Sequence, residues 1–185
     1  MKTRIEEKLL LYKVVAQKNP DAFAKLYDFY IEPIYRFVFF KLSNREDAED
    51  ITSEVFLKTW DYLIADSGRE VNSFRQLIYT VARNKVIDVY RERARRLECS
   101  LEIVKEISAP GSPADALHQE QKMGQLLANL KKLKVEYQEV IQLRYMEGLS
   151  VKDIAAILNK KTTNIRIIIF RAKNKLKELA KEKPL

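Results

Sequence analysis

Apolar residues recur along this chain at intervals of three and four. Ala48, Ile51, Val55, Thr59 and Tyr62 form one such series; Phe74, Leu77, Ile78, Val81 and Ala82 form a second; Ile165, Ile169, Ala172 and Leu176 form a third. That spacing lines one side of an α-helix, leaving the opposite side to polar residues. It predicts an amphipathic helix over about 3 to 17, followed by helices with recognisable starts. In "NPDA", Asn19 caps and Pro20 takes the first helical position; "SNRE" (43 to 46) and "SFRQ" (73 to 76) fit a capping box. Helices are predicted near 116 to 131 and 135 to 147. A short one then begins under Ser150 and Asp153, and "NKK" separates it from a long last helix.

Only four glycines and five prolines occur, so few positions interrupt these helices and the fold class is all-α. The periodicity stops at "SAPGSPAD" (108 to 115), where Pro, Gly and Ser collect. The expected organisation is therefore a helical domain over 1 to 96, a flexible linker over 97 to 115, and a second helical domain over 116 to 185.

Charge changes the picture next. The net charge of +8 suggests a polyanionic partner, nucleic acid or an anionic membrane surface. No apolar run approaches the roughly 18 to 20 residues that span a bilayer, and "MKTRIEEK" does not lead into a signal-peptide core. A soluble, cytoplasmic protein without stable membrane insertion is expected. One cysteine, Cys99, and one histidine, His118, exclude a Cys/His metal cluster, and neither a metal nor a cofactor is expected. Together they could form a nucleophile and its base, but both fall in a stretch that reads as flexible.

The charge is unevenly spread. Residues 45 to 61 carry six acids against Arg45 and Lys58, and on a helical wheel Asp50, Glu54, Leu57 and Asp61 run down the side opposite the apolar stripe. Such a face repels DNA. A solvated surface would account for the carboxylates; Leu57 among them, with Trp60 at the margin, favours a protein interface. Residues 83 to 96 hold six Lys or Arg against Asp88 and Glu92. That run is either a soluble helix end favoured by its dipole or a phosphate-binding surface. The short helix, tight turn and basic helix from Ser150 onward form a helix-turn-helix pattern, whose second helix fits a major groove about 12 Å wide. A plain α-hairpin is the alternative for that stretch alone.

Four blocks in order, "DAFAKLYDFYIEPIYRF", "REDAEDITSEVFLKTW", "SFRQLIYTVARNKVIDVYRERARR" and "LRYMEGLSVKDIAAIL", resemble the extracytoplasmic-function (ECF) sigma factors of bacterial RNA polymerase. The match covers nearly the whole chain. It implies a first domain that binds core RNA polymerase and the minus-ten promoter element, and a second that reads the minus-thirty-five element. By resemblance the polymerase contact falls on Asp50, Ser53, Glu54 and Phe56, with Leu57 and Trp60 as apolar anchors. Ser53 stands where the family usually has glutamine. The loop "IADSGREVN" is then the pocket that captures a base flipped from the non-template single strand, through Ser67, Arg69 and Asn72. Arg83, Asn84, Arg91, Arg93, Arg95 and Arg96 become minus-ten contacts. Because unstacking a base costs a few kcal/mol, a polar pocket flanked by cations must recover that from the exposed strand. ECF factors are commonly held by an anti-sigma factor, which the resemblance implies as a further partner.

In the last helix, resemblance and spacing agree that Ile165, Ile169, Ala172 and Leu176 face inward. Lys160, Lys161, Arg166, Arg171, Lys173 and Lys175 then suit phosphate contacts on double-stranded promoter DNA, and Thr162, Thr163, Asn164 and Ile167 complete the expected minus-thirty-five contacts. Burying the seam leaves no broad apolar face for lipid. The family usually has serine then arginine where this chain has Ile167 and Ile168, and a glycine where it has Thr163. Ile167, Ile168 and Phe170 are therefore surplus to the pattern. Either Phe170 and one isoleucine pack on the helix near 135 to 147, or these side chains touch thymine methyl groups, or they lie under a partner.

The reading is a non-enzymatic initiation factor. The alternative is a stand-alone helix-turn-helix regulator that does not bind polymerase, against which the acidic face argues; a hydrolase built on Cys99 and His118 is a third. Because the breaker cluster separates two periodic halves, brief proteolysis is expected to cut within 97 to 115 and release two fragments that each keep their helical circular dichroism. A single resistant core would contradict the two-domain organisation.

Overall fold

A computed structural model describes residues 4–65, 71–99 and 117–181. The chain divides into two compact units, Met1–Ile107 and Ser108–Leu185. The described residues are all-α. The first unit holds α1 (Arg4–Gln17), α2 (Pro20–Leu42), α3 (Arg45–Ile64) and α4 (Phe74–Cys99). The second holds α5 (Leu117–Lys131), α6 (Val135–Ile141), α7 (Val151–Ile157) and α8 (Thr162–Lys181). After Ile141, α6 continues as a π-helical turn over Gln142–Met146. The helix α4 continues to Cys99, beyond position 97 where the linker was expected to begin, and most of that linker lies outside the described residues. No helix is long and apolar enough to cross a membrane, among the described residues.

Local chemistry accounts for the helix ends. The Asn19 side chain accepts from Ala22 N at 2.9 Å, and Pro20 occupies the first turn, where a missing N–H leaves no bond unmade. Asn44, not Ser43, caps α3, accepting from Asp47 N at 3.0 Å. Ser43 was expected to be the cap, but the α2–α3 connection is so short that it must close α2 instead. It does so in the left-handed region (φ 53°), donating its N–H to Phe39 O at 2.8 Å. Ser73 Oγ accepts from Gln76 N at 3.3 Å. The Ser150–Asp153 capping box is complete: Asp153 N donates to Ser150 Oγ at 3.1 Å, and Ser150 N donates to Asp153 Oδ2 at 3.2 Å.

In the first unit Val14, Leu26, Ile34, Phe37, Val38, Val55, Phe74, Ile78 and Ala82 are essentially inaccessible to solvent, one stripe from each of the four helices. Each large side chain so buried stabilises the unit by about 1.5–3 kcal/mol. On α3 the stripe is wider than the apolar residues alone indicate. Thr52 and Thr59 are buried with it, their hydroxyls donating to Ala48 O at 2.6 Å and Val55 O at 2.7 Å. Those bonds inside the helix remove the penalty of burying a hydroxyl, so threonine serves as a core residue.

One polar cluster ties three helices of this unit together. Tyr30 OH of α2 donates to Glu7 Oε2 of α1 at 2.7 Å, and Arg75 N, in the first turn of α4, donates to Glu7 Oε1 at 3.3 Å. Arg75 Nε approaches Tyr30 OH at 3.4 Å. Glu7 thereby acts as a cap for α4 supplied from a distant helix, a carboxylate satisfying a donor at a helix N-terminus. Burial, and then the adjacent carboxylate, raise the Tyr30 hydroxyl well above the ordinary phenol range, so it stays a donor.

The second unit buries Leu130, Leu133, Val140, Leu143, Leu149, Ile154, Ile157, Ile165 and Ala172. Gly148, with φ 66°, lies between the wide turn and α7. Between α7 and α8, Asn159 takes φ 50° and Lys160 N donates back to Ala155 O at 2.9 Å. This is the Schellman closure of a helix and forms the turn of a helix-turn-helix.

Trp60, the chain's single tryptophan, lies in the first unit, so its fluorescence follows that unit's unfolding. Tyr30→Phe is expected to lower stability in urea by about 1 kcal/mol, and Glu7→Ala, which leaves two donors without their acceptor, by about 2 kcal/mol. Midpoints equal to that of the unaltered protein would mean that α1 is held by apolar contacts alone.

Candidate polymerase and nucleic-acid interfaces

The outer side of α3 forms as its spacing indicates. Asp50, Ser53, Glu54, Leu57 and Asp61 are exposed, Leu57 at 64%. Ser53 Oγ is turned onto its own helix, donating to Glu49 O at 3.0 Å. Glu54 is not free on this face, because its carboxylate pairs with Lys85 Nζ of α4. Phe56 does not belong to the surface: it is 3% exposed. Its position one turn from both Thr52 and Thr59 points it at α2, where it meets the rings of Tyr27 at 4.6 Å and Phe23 at 6.5 Å. Phe23 in turn stands 5.0 Å from Trp60, which is half-buried. Phe56 is therefore the floor under an aromatic edge made of Tyr27 and Trp60, next to exposed Leu57. Tyr27 escaped the sequence reading. Its place one helical turn after Phe23 was the available signal.

The α4 cations divide into two groups. Thr80, Asn84, Ile87, Arg91 and Arg95 follow one another at helical spacing along the side away from the core, with Arg83 beside them. Asn84, Arg91 and Arg95 are exposed; Arg91 lies 3.5 Å from Asp88, a pair too solvated to hold it firmly. Arg96 is exposed like Arg95, and only Arg93 belongs elsewhere. Arg93 is half-buried against Asp47 of α3, and Arg96 pairs with Glu92 one turn earlier. Arg93 thus fastens α4 to α3. Asn72 is exposed just before α4, whereas Ser67 and Arg69 lie outside the described residues.

Along α8, Ile165 and Ala172 are fully buried and Ile169 and Leu176 half-buried, the expected seam. Thr162, Thr163, Asn164, Arg166, Ile167, Phe170, Arg171, Lys173 and Lys175 are exposed, and Ile168 is half-buried beside the seam. Phe170 is 66% exposed and Ile167 48%, so neither packs into the core on α6. Arg171 and Lys175 line an open cleft with Lys132 and Lys134 from the α5–α6 connection. On the other flank, Lys173 Nζ lies 5.9 Å from the centre of the Tyr145 ring, and Tyr145 is itself exposed. Lys160, in the turn, is 3.1 Å from Glu136, and Lys161 is exposed. No acid occurs between Lys160 and Lys177.

These two units correspond to two known families of domain. Residues 26–96 match Sigma-70 region 2, and residues 123–176 match Sigma-70, region 4. The chain is 31% identical over 166 residues to the ECF RNA polymerase sigma factor BldN of Streptomyces coelicolor, covering 86% of this chain and 60% of that protein. It is 29% identical over 175 residues to SigW of Bacillus subtilis, covering 90% and 92%. It is 27% identical over 157 residues to SigM of the same organism, covering 84% and 93%. Among solved structures, CnrH, in complex with the cytosolic domain of CnrY, has the same fold at TM-score 0.70 and 24% identity, over 97% of this chain and 99% of that one. RpoE of Bartonella quintana, in complex with the anti-sigma factor NepR, has it at TM-score 0.68 and 22% identity, over 88% and 98%. With both domains in order and relatives aligned along most of its length, the chain belongs to the extracytoplasmic-function sigma factors, transcription initiation factors that bind RNA polymerase.

Proposed function

We propose that the outer face of α3, with Asp50, Ser53 and Leu57 and the Tyr27–Trp60 edge, docks on core RNA polymerase. Glu54 contributes to it from its pair with Lys85, and Phe56 supports it from below. The α4 face of Arg83, Asn84, Arg91 and Arg95 follows the phosphates of the minus-ten element. Asn72, with Ser67 and Arg69, captures a base of the displaced strand. Arg96 joins the α4 face from its solvated pair with Glu92, whereas Arg93 acts by shaping α4, since its charge is already engaged. The cations flanking α8, with Lys160 and Lys161, position the second unit on the minus-thirty-five duplex. The factor works in the cytoplasm without chemistry of its own; bond formation belongs to the polymerase. An inhibitory anti-sigma protein is a further partner, in keeping with the complex of the sigma factor RpoE with the anti-sigma factor NepR.

One observation carries this reading. A single chain holds an acidic face with apolar anchors in one unit and, in the other, a cation-flanked helix of a helix-turn-helix with no acid before Glu178. The first repels DNA and the second attracts it, so the two units suit two different partners. A stand-alone DNA-binding regulator has no use for the acidic face. Mixing the purified protein with core polymerase is the direct test: a stable complex that starts transcription at defined sites supports the proposal, and a protein that binds DNA but ignores polymerase would defeat it.

Asp50 and Leu57 are the residues to change, because altering Glu54 would also strand Lys85. The double variant Asp50→Lys, Leu57→Ser is expected to weaken polymerase binding more than about tenfold, as loss of an interface anchor does. Its thermal midpoint should hardly move, since exposed substitutions shift stability by less than about 0.5 kcal/mol. Undiminished binding in a titration of labelled core polymerase would remove this face from the interface. Arg171→Ala is expected to flatten the dependence of log affinity on log salt by about 0.9, one phosphate contact, with similar loss on every DNA sequence. An unchanged slope would take Arg171 off the DNA.

A further inference from the structure

Two large apolar side chains on α8 stay exposed among the described residues. Ile167 is 48% exposed and Phe170 66%. They fall at the centre of the helix's outer side, in the series Thr163, Ile167, Phe170, Asn174, which returns at intervals of four, three and four. This series lies opposite the buried seam. One flank of the ridge carries Arg171 and Lys175, and the other Arg166 and Lys173.

That arrangement specifies a ligand by its chemistry. Two rows of cations on either side of a helix match two phosphate backbones, and with side chains a helix is about 10–12 Å across, close to the width of a major groove. No acid occurs from Lys160 to Lys177, and the one that follows, Glu178, lies at the end of a row, 2.9 Å from Lys175. The ridge between the rows then meets base edges. Most groups presented there are hydrogen-bond donors and acceptors, which a phenyl ring and an isoleucine cannot satisfy. The exception is the C5-methyl group of thymine. Facing any other base pair, these side chains would desolvate polar edges without replacing their hydrogen bonds with water.

We propose that Ile167 and Phe170 read thymine methyl groups in the upstream promoter element, so that this chain selects sites with T·A pairs facing the middle of α8. The inference rests on the DNA-binding role proposed above for this helix and adds the base that it recognises. Ile167 and Phe170 act here as specificity-determining residues, and the flanking cations as positioning ones.

The test uses holoenzyme assembled from the full chain and core polymerase. Preferred upstream elements are selected from a randomised duplex, and each thymine is then replaced singly by deoxyuridine, which removes the methyl group and keeps the pairing. Binding is expected to weaken about fourfold at one or two positions, the worth of one buried methyl-sized group. Ile167→Ala and Phe170→Ala should each lose a similar factor on the thymine duplex and become indifferent to deoxyuridine at their own position. Selected elements without thymine there, or an all-deoxyuridine element bound as tightly as the original, would overturn the proposal. So would variants that bind both duplexes like the unaltered protein, which would place the two side chains under a protein partner. If the holoenzyme selects no upstream sequence at all, the DNA-binding role falls together with this inference; if it selects one and ignores the methyl groups, only the inference falls.

Discussion

A helix packed against neighbours on one side buries only a stripe of its circumference, somewhat more than about 100° wide, and must leave the rest to solvent or to a partner. Every interface described above follows from that limit. Because Val55, Phe56 and Thr59 turn inward, Asp50, Leu57 and Asp61 turn outward. Because Ile78, Ala82 and Val86 are buried on α4, Asn84, Arg91 and Arg95 line its free side. On α8, the narrow seam of Ile165 and Ala172 leaves Ile167 and Phe170 facing away. Core packing thus decides which chemistry each helix can present.

Polar contacts between helices then select among the exposed residues. Lys85 engages Glu54 and Asp47 engages Arg93, joining α3 to α4 on the same sides from which charge would otherwise be offered to a partner. Both pairs are partly solvated, so their worth in stability is small. Their effect on geometry is to join α4 to α3 at two points along the helices. The Glu7, Tyr30 and Arg75 cluster does comparable work for α1, joining it to α2 and to the first turn of α4, next to the segment assigned to strand capture.

The two units also differ in how they handle apolar surface. In the first, exposed Leu57 and Tyr27 border acids, a combination that suits a protein surface with complementary charge. In the second, exposed Ile167 and Phe170 lie between cations, a combination that suits nucleic acid. The neighbouring charge gives the same kind of residue two different meanings.

Much of this was present in the chain as a pattern. Spacing alone located the helices to within a few residues, named the seam of α8, and put Asp50, Leu57 and Asp61 on one outward face, because a period near 3.6 is a property of the helix and needs no partner. Asn19 and Ser150 were identifiable as caps for the same reason, their bonds reaching only three residues ahead. Contacts between residues far apart in sequence leave no such trace. Whether Phe56 faced polymerase or Tyr27 depended on how α2 lies against α3, and whether Arg93 was available depended on the position of Asp47, 46 residues away. Ser43 and Asn44 were interchangeable as caps until the shortness of the α2–α3 connection assigned one to each helix. The exposure of Phe170 was likewise settled by packing: α6 and α7 had already filled the seam, and the helix had only one side to bury.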